Sequence, residues 1–246
     1  MTKDLEDKIY ADFQILVKKE PLLYKLYGAL LHKQSLWALL STVLEGKIHK
    51  YSASNMNFEE EFHDIFLNDP EIRATITADI AAYHQRDFAC KNYLEVILFH
   101  RGFQAVTMYR IARHYHLSNQ KYTARFFQNC ISESFCMDIH PNAKIGKGVV
   151  VDHGIGLVVG ETAEIGDHVY ILHNVTLGST GHHSGDRHPK VKDHVFIGAG
   201  AIILGNIVIN EHVNIAAGSV VTKDVASYTT VAGVPARPIG TYKKLQ

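Results

Sequence analysis

An aliphatic residue returns at every sixth position along the C-terminal half of the chain. The series runs Ile139, Ile145, Val151; then Val159, Ile165, Ile171, Leu177; then Val191, Ile197, Ile203, Ile209, Ile215, Val221. Four residues after most of these stands a small or β-branched residue: Ala143, Val149, Ala163, Val169, Val175, Val195, Ala201, Val213, Ser219. Glycine often follows the aliphatic residue directly, as at Gly146, Gly166, Gly178 and Gly198. An internal period repeated this often signals a solenoid. Six residues make one short strand and a turn. Three such faces close a triangular coil, with the aliphatic side chain pointing into the prism and the glycines expected to make the turns. Stacked coils then pair their backbones about 4.8 Å apart. The period leaves the hand of the coil open, although most parallel crossovers are right-handed.

The repeat breaks twice. From Val151 to Val159 the step is eight, which places two extra residues around Gly156-Leu157. From Leu177 to Val191 it is fourteen, which extrudes a loop at 178–190, kept irregular by Gly178, Gly181, Gly185 and Pro189. A loop that leaves a rigid scaffold carrying Arg, Asp and His is a natural place for function. The tail, Ala216–Asp224 and Ala232–Arg237, reads as the last coil and its plug, since a solenoid needs a cap. Small residues there would also let a long, thin ligand lie against the backbone.

Residues 1–136 have a different grammar. Apolar residues recur at three and four (Tyr10, Phe13, Leu16, Val17; Leu36, Leu39, Leu40, Val43), which predicts helices. Asp69-Pro70 predicts a helix start, with Asp69 as the cap and Pro70 at the first helical position. Further helices are predicted over about 93–116 and 119–135. The chain thus divides into an α-helical domain, 1–136, and a β-solenoid domain, 137–246. No chemical motif appears in the first 80 residues, so packing and assembly are their default role.

Lys+Arg and Asp+Glu both number 25, a balance that argues against nucleic acid or an anionic membrane as partner. There is no apolar run long enough to span a bilayer, and MTKDLEDKIY has no secretory apolar core. Cys90, Cys130 and Cys136 have no metal-binding spacing and read as reduced thiols of a cytoplasmic protein.

Several residues could carry chemistry. Asp152-His153 reads either as surface turn residues or as a general base with a neighbouring acid. An imidazole can take and return a proton near neutrality. Asp138 either caps a turn or orients that imidazole. The six-residue pattern puts it on His153's face, one coil away and about 10 Å along the strand direction. Arg187 and His188 lie in Asp186-Arg187-His188-Pro189, where the planar guanidinium suits a carboxylate. Asp87, in Gln85-Arg86-Asp87, is uninformative from chemistry alone.

These stretches together resemble the serine acetyltransferases, members of the left-handed β-helix hexapeptide acyltransferases. The resemblance covers about residues 70–240. It is carried by Asp138-Ile-His-Pro-Asn-Ala-Lys-Ile-Gly, Val151-Asp-His-Gly, Val159-Gly-Glu-Thr-Ala, Gly185-Asp-Arg-His-Pro-Lys190 and Ala232-Gly-Val-Pro-Ala-Arg237. It implies an α+β chain with a left-handed parallel β-helix. The implied reaction moves acetyl from acetyl-CoA to the L-serine hydroxyl, the first step of cysteine biosynthesis. It implies His153 as base and Asp138 as its partner carboxylate. Asp87 and Asp152 would hold the substrate ammonium, Arg187 its carboxylate, and His188 would sit beside it. Acetyl-CoA as co-substrate would lie along the last coils near Ala199, Ala217 and Lys223. No metal or acyl-enzyme cysteine is required.

The family commonly forms trimers, often paired into hexamers, with sites between neighbouring prisms. Cysteine, which resembles serine, would be a feedback inhibitor. Two departures stand out. Gly154-Ile155-Gly156 replaces the usual Ala-Thr-Gly and leaves local pocket contacts open. The ending Lys243-Lys-Leu-Gln246 lacks the isoleucine-ended tail that docks in O-acetylserine sulfhydrylase, which disfavours that partner. Three rival readings remain. One is a zinc carbonic anhydrase on the same scaffold, using His153, His183 and His188. Another is an acyltransferase for homoserine, D-serine or a sugar. The third is a solenoid that only assembles.

Overall fold

The six-residue period closes into a three-sided coil. In the computed structural model, which describes residues 2–33, 35–51, 57–181 and 184–242, strands follow one another as two-to-three-residue steps around the prism. They are β1 (Asp138–Ile139), β2 (Lys144–Ile145), β3 (Val150–Val151), β4 (Val158–Val159), β5 (Glu164–Ile165), β6 (Tyr170–Ile171), β7 (Thr176–Gly178), β8 (Lys190–Val191), β9 (Phe196–Ile197), β10 (Ile202–Leu204), β11 (Val208–Ile209), β12 (Asn214–Ile215) and β13 (Val220–Val221), closed by the hairpin β14 (Thr229–Gly233) and β15 (Ala236–Thr241). The first face stacks β1-β4-β7-β10-β13, the second β2-β5-β8-β11, and the third β3-β6-β9-β12-β14-β15. All pairings between coils are parallel, and only the terminal hairpin is antiparallel. Of the recurring aliphatic residues, all but the half-buried Ile145 are buried. The small residues four positions on, Ala143 to Ser219, are buried as well.

The glycines behind the aliphatic residues do a different job from the one read in the sequence. They do not adopt left-handed backbone; they let adjacent coils approach. A Cβ on Gly198 would sit 2.5 Å from the amide nitrogen of Ala217, in the next coil. At the corner between the second and third faces, the left-handed positions belong to Gly148 in the first coil and then to His168, His194, His212 and Tyr228, the last four with φ between 54° and 60°. Their rings stack in a column, with centroids 5.1, 4.8 and 4.8 Å apart. Ring pairs of this kind contribute about 0.5–1.5 kcal/mol each, which offsets much of the ~1–2 kcal/mol that left-handed backbone costs a side chain with a Cβ.

Two compact units divide between His100 and Arg101, so two helices belong with the prism. The change of grammar near 136 marks where helix gives way to strand, not where the units part. The first unit holds α1 (Thr2–Lys19), α2 (Pro21–Tyr27), α3 (Leu36–Ile48), α4 (Phe58–Asn68), α5 (Pro70–Arg86) and α6 (Tyr93–Phe99). Phe13, Val17, Leu36, Leu39 and Leu40 form part of its core, and Asp69 caps α5 by accepting the Glu71 and Ile72 amides. The helix read over 93–116 is two. His100 takes an extended conformation between α6 and α7 (Arg101–Leu117), its ring edge-on to Tyr83 and its Nδ1 3.4 Å from Asp87 Oδ2.

In the second unit, α7 and α8 (Lys121–Phe135) cover the first coil. That end would otherwise expose carbonyls without partners. Arg110, buried, donates to Ile145 O and Gly146 O at 3.2 and 2.8 Å. Arg113 donates to Ala143 O at 2.9 Å, and the Tyr109 hydroxyl donates to the same carbonyl. Residues 243–246, on which the expectation about a docking tail rests, lie outside the described residues.

Candidate active site

His153 stands at the corner where the third face turns into the first. The repeat explains its projection. The Asp152 amide bonds Ile171 O just as the Leu172 amide bonds Ile197 O, so Asp152 and Leu172 are equivalent. Asn174, Gly200 and Gly218 donate to the carbonyls of Ile155, His173 and Ala199, so Ile155 and His173 are equivalent too. The two extra residues are therefore His153 and Gly154 themselves, not residues near Gly156-Leu157. Both are left-handed, with φ of 58° and 66°. The bulge pushes the imidazole outward, and its side chain is 70% exposed. Its Nε2 lies 3.7 Å from Asp152 Oδ1, an ion-pair distance once the ring is protonated. Asp152 is steadied by the Tyr170 hydroxyl, which donates to Oδ2 at 3.1 Å. Edge-on to His153, at 5.8 Å, is His173. Further along the same corner come Ala199 and Ala217.

The second corner, between the first and second faces, carries Arg187 and His188. Lys190 pairs with Glu164, so His188 lies over Thr162 and Arg187 over Glu161. These residues have already rejoined the coil; the extruded residues are those before them. Arg187 donates from Nη2 to Glu161 Oε2 at 2.7 Å and from Nη1 to Gly185 O at 3.0 Å. That bond from Arg187 holds the Glu161 carboxyl below the usual carboxylate range. His188 is buried, its ring flat against Gly160. Burial first, then the Arg187 charge, lowers its pKa. Thr162 binds both: Oγ1 accepts the Arg187 and His188 amides at 3.0 and 3.2 Å. Lys190 is braced by Asp186 and the Thr162 carbonyl.

The pairing corrects the position read for Asp138. It lies on the first face opposite Val158, whereas His153 occupies the corner leading into that face. Gln128 donates to Asp138 Oδ1 at 2.5 Å. Asp87, in the first unit, follows α5, accepts the Ala89 amide at 2.8 Å and faces His100. Lys223 is not on the corner of Ala199 and Ala217. It follows β13 at the second corner and lines a cavity of about 410 Å³ with Arg237, Thr222 and Thr229. His153 and His188 occupy different corners, and His183 lies outside the described residues. Among the described residues, no three His, Cys, Asp or Glu side chains form a metal cluster. Sequence reasoning missed Gly160, Glu161, Thr162, Tyr170 and His173. For Thr162 the signal was present: a coil of eighteen lengthened by eight sets His188 over it.

Comparison with known proteins decides the family. The profile described as "Serine acetyltransferase, N-terminal" matches residues 6–108, and "Bacterial transferase hexapeptide (six repeats)" matches residues 188–223. Serine acetyltransferase 1, chloroplastic, of Arabidopsis thaliana is 47% identical over 91% of this chain and 72% of its own length. The chain belongs to the serine acetyltransferase family. Its solved relatives include the serine acetyltransferase of Vibrio cholerae, with TM-score 0.93 and 40% identity over 99% of this chain and 95% of that one. The Brucella abortus serine acetyltransferase in complex with coenzyme A has TM-score 0.92 and 38% identity, covering 98% and 96%. With the family comes the left-handed β-helix, which fixes the hand that the six-residue period left open.

Proposed function

We infer that the chain transfers the acetyl group of acetyl-CoA to the hydroxyl of L-serine, giving O-acetyl-L-serine and CoA at the head of cysteine biosynthesis, with His153 as the general base. The observation that carries this reading is the bulge itself. It sets an exposed imidazole at the head of a corner where, beyond His173, the later coils bear the small residues Ala199 and Ala217, room for a thin chain to run against the backbone. In the reaction, His153 takes the serine hydroxyl proton as that oxygen attacks the thioester carbonyl. The tetrahedral intermediate collapses with cleavage of the carbon–sulfur bond. The leaving thiolate takes the proton back from the imidazolium. General-base assistance of this kind contributes about 10²–10⁴ in rate, and orienting two bound reactants adds more.

The remaining roles follow the resemblance. Arg187 takes the serine carboxylate; its five N–H donors exceed the two bonds it makes to Glu161 and Gly185. Asp152 and Asp87 take the ammonium. With Gln128 on Oδ1 of Asp138, Oδ2 is the oxygen left to steady His153. Lys223 and Arg237 supply positive charge for the phosphates of CoA; the coenzyme A complex of the Brucella relative supports a CoA ligand here. Because His153 and the Arg187-His188 pair occupy different corners of one prism, we assign the complete site to neighbouring prisms of a homotrimer. Among the described residues no helix is long and apolar enough to cross a membrane, and the free thiols Cys90, Cys130 and Cys136 support a reducing cytoplasm.

The test is CoA thiol release from acetyl-CoA with L-serine, D-serine and L-homoserine, for the unmodified chain and His153→Asn, with native mass spectrometry for the assembly. L-Serine should give the fastest release, and His153→Asn should lose about 10²–10⁴ of it with an unchanged circular dichroism spectrum. Faster release with another acceptor, or full activity in His153→Asn, refutes the reading.

A further inference from the structure

The tautomer of His188 can be read from its partners. The Thr162 amide, which can only donate, points at Nδ1 at 3.2 Å. Nδ1 is therefore the bare, accepting nitrogen, and the neutral ring carries its proton on Nε2. The Thr162 hydroxyl adds to this. Its oxygen accepts two amide protons, from Arg187 and His188, and its own proton is within reach of both Nδ1, 2.9 Å away, and the Asp186 carboxylate. One threonine thus places both a main-chain and a side-chain donor within reach of the same ring nitrogen. Among the described residues Nε2 has no hydrogen-bond partner.

We propose that Thr162 is a positioning residue that fixes the His188 proton on Nε2, making His188 a one-way hydrogen-bond donor to the substrate carboxylate beside Arg187. The proposal rests on the assignment of Arg187 to that carboxylate. It separates the two site histidines by chemistry. His153, with its ring in solvent, is free to accept and return a proton. His188 cannot act as a base through Nδ1, because the Thr162 amide occupies that nitrogen, and Nε2 already holds the proton. The charges facing His188 are Arg187 and Lys190 on one side and Glu161 and Asp186 on the other, two of each sign. They do not favour the imidazolium decisively, and burial disfavours it. Gly160 completes the arrangement by letting the ring lie against its backbone.

Thr162→Val keeps the shape and the main-chain donor but removes the hydroxyl. It leaves the Arg187 and His188 amides without their acceptor. Thr162→Ser keeps the hydroxyl. In Thr162→Val, KM for L-serine should rise about tenfold or more while KM for acetyl-CoA stays within about twofold, and Thr162→Ser should return KM to within about threefold. Loss of a donor to the neutral ring raises its proton affinity, so the His188 ring should take up its second proton at higher pH in Thr162→Val than in the unmodified chain or Thr162→Ser, read by an NMR pH titration. Nitrogen-15 NMR of histidine-labelled protein reads the tautomer without any turnover. His188 should show a protonated Nε2 and a bare Nδ1 at neutral pH. A proton on Nδ1, or Thr162→Val with unchanged serine KM and an unchanged His188 titration, overturns the proposal. An unmodified chain that shows the Nε2 tautomer but does not acetylate serine sinks the functional reading and leaves the tautomer assignment standing.

Discussion

Gly160→Ala isolates the contribution of the His188 ring. The backbone at Gly160 is not left-handed, so alanine meets no conformational penalty there. The added Cβ would fall 2.0 Å from His188 Cδ2, 2.1 Å from Nε2 and 2.8 Å from Cγ. Non-bonded carbon atoms need about 3.5–4.0 Å, so the ring must withdraw by roughly 1.5 Å or more. The two bonds at Nδ1, 2.9 and 3.2 Å long, cannot survive that shift. Two hydrogen bonds at about 0.5–1.5 kcal/mol each give a loss of ~1–3 kcal/mol, or about 5–150-fold if it falls on the transition state. The nearest atoms belong to this side chain and not to the next coil, so the solenoid itself is spared. Gly198→Ala is the contrasting case, because there the Cβ strikes the Ala217 backbone at 2.5 Å and should destabilise the fold. The assay is initial-rate thiol release at varied L-serine, with thermal unfolding alongside. Gly160→Ala should lose kcat/KM for serine with a fall in Tm of no more than about 2–4 °C for each kcal/mol lost with those two bonds, and Gly198→Ala should lower Tm further. If Gly160→Ala keeps kcat/KM for serine within twofold, the ring has no part in binding the acceptor and the reasoning fails.

Three further outcomes follow from contacts elsewhere in the second unit. Arg110→Met removes two charge-assisted bonds to the Ile145 and Gly146 carbonyls and should cost about 2–5 kcal/mol of stability, read as a lower urea midpoint. His140 and His188 are both held below the usual imidazole value by burial, so the unfolded chain takes up protons first as pH falls through ~6.5. Urea midpoints should therefore decline from pH 7 toward pH 5.5; a flat profile there contradicts the burial argument. Lys223→Ala should raise KM for acetyl-CoA by about three- to tenfold while leaving KM for serine unchanged, because an exposed lysine–phosphate contact contributes on the order of 1 kcal/mol.

The solenoid was legible because an inward position at a six-residue spacing tolerates little except Ile, Leu or Val. The unit boundary at His100 was not. Residues 102–112 of α7 are all buried, the polar Gln104, Thr107 and Arg110 included, so the polar pattern of the helix does not mark a solvent face that would set it apart from α6. The turning residues were misread for a related reason. Glycine marks both left-handed turns and close backbone approach, and only coordinates separate Gly198, crowded by Ala217, from Gly218, with φ of 69°. His153 and Arg187 could be singled out by chemistry. Glu161 and Thr162 have no such chemical signal in their own residue types; they are reached only by counting the lengthened coil, which sets Arg187 and His188 over them.

Both functional corners follow from one property of a repeating coil. Equivalent positions stack, so a side chain that must project from a corner has to leave the repeat or ride on a lengthened turn. His153-Gly154 leaves it by two residues, and the eight-residue extension before Arg187 ends where the chain rejoins the prism over Glu161. Deleting His153 and Gly154 together tests this. The deletion joins Asp152 directly to Ile155 and restores the spacing of the next coil, in which Leu172 is followed by His173. It removes two left-handed residues, one of them carrying a Cβ at a cost of about 1–2 kcal/mol. The loss to set against this is the seating of Gly154 beside Met137 and three backbone bonds, from the Gly154 amide to Asp152 O, the Ile155 amide to His153 O and the Leu157 amide to Gly154 O. At about 0.5–1.5 kcal/mol per bond the loss exceeds the relief by only a kcal/mol or two, so Tm should fall by no more than several degrees while acetyl transfer to serine disappears. A deletion that abolishes folding would show that the bulge is part of the prism's architecture; one that folds and still turns over would show that the base lies elsewhere.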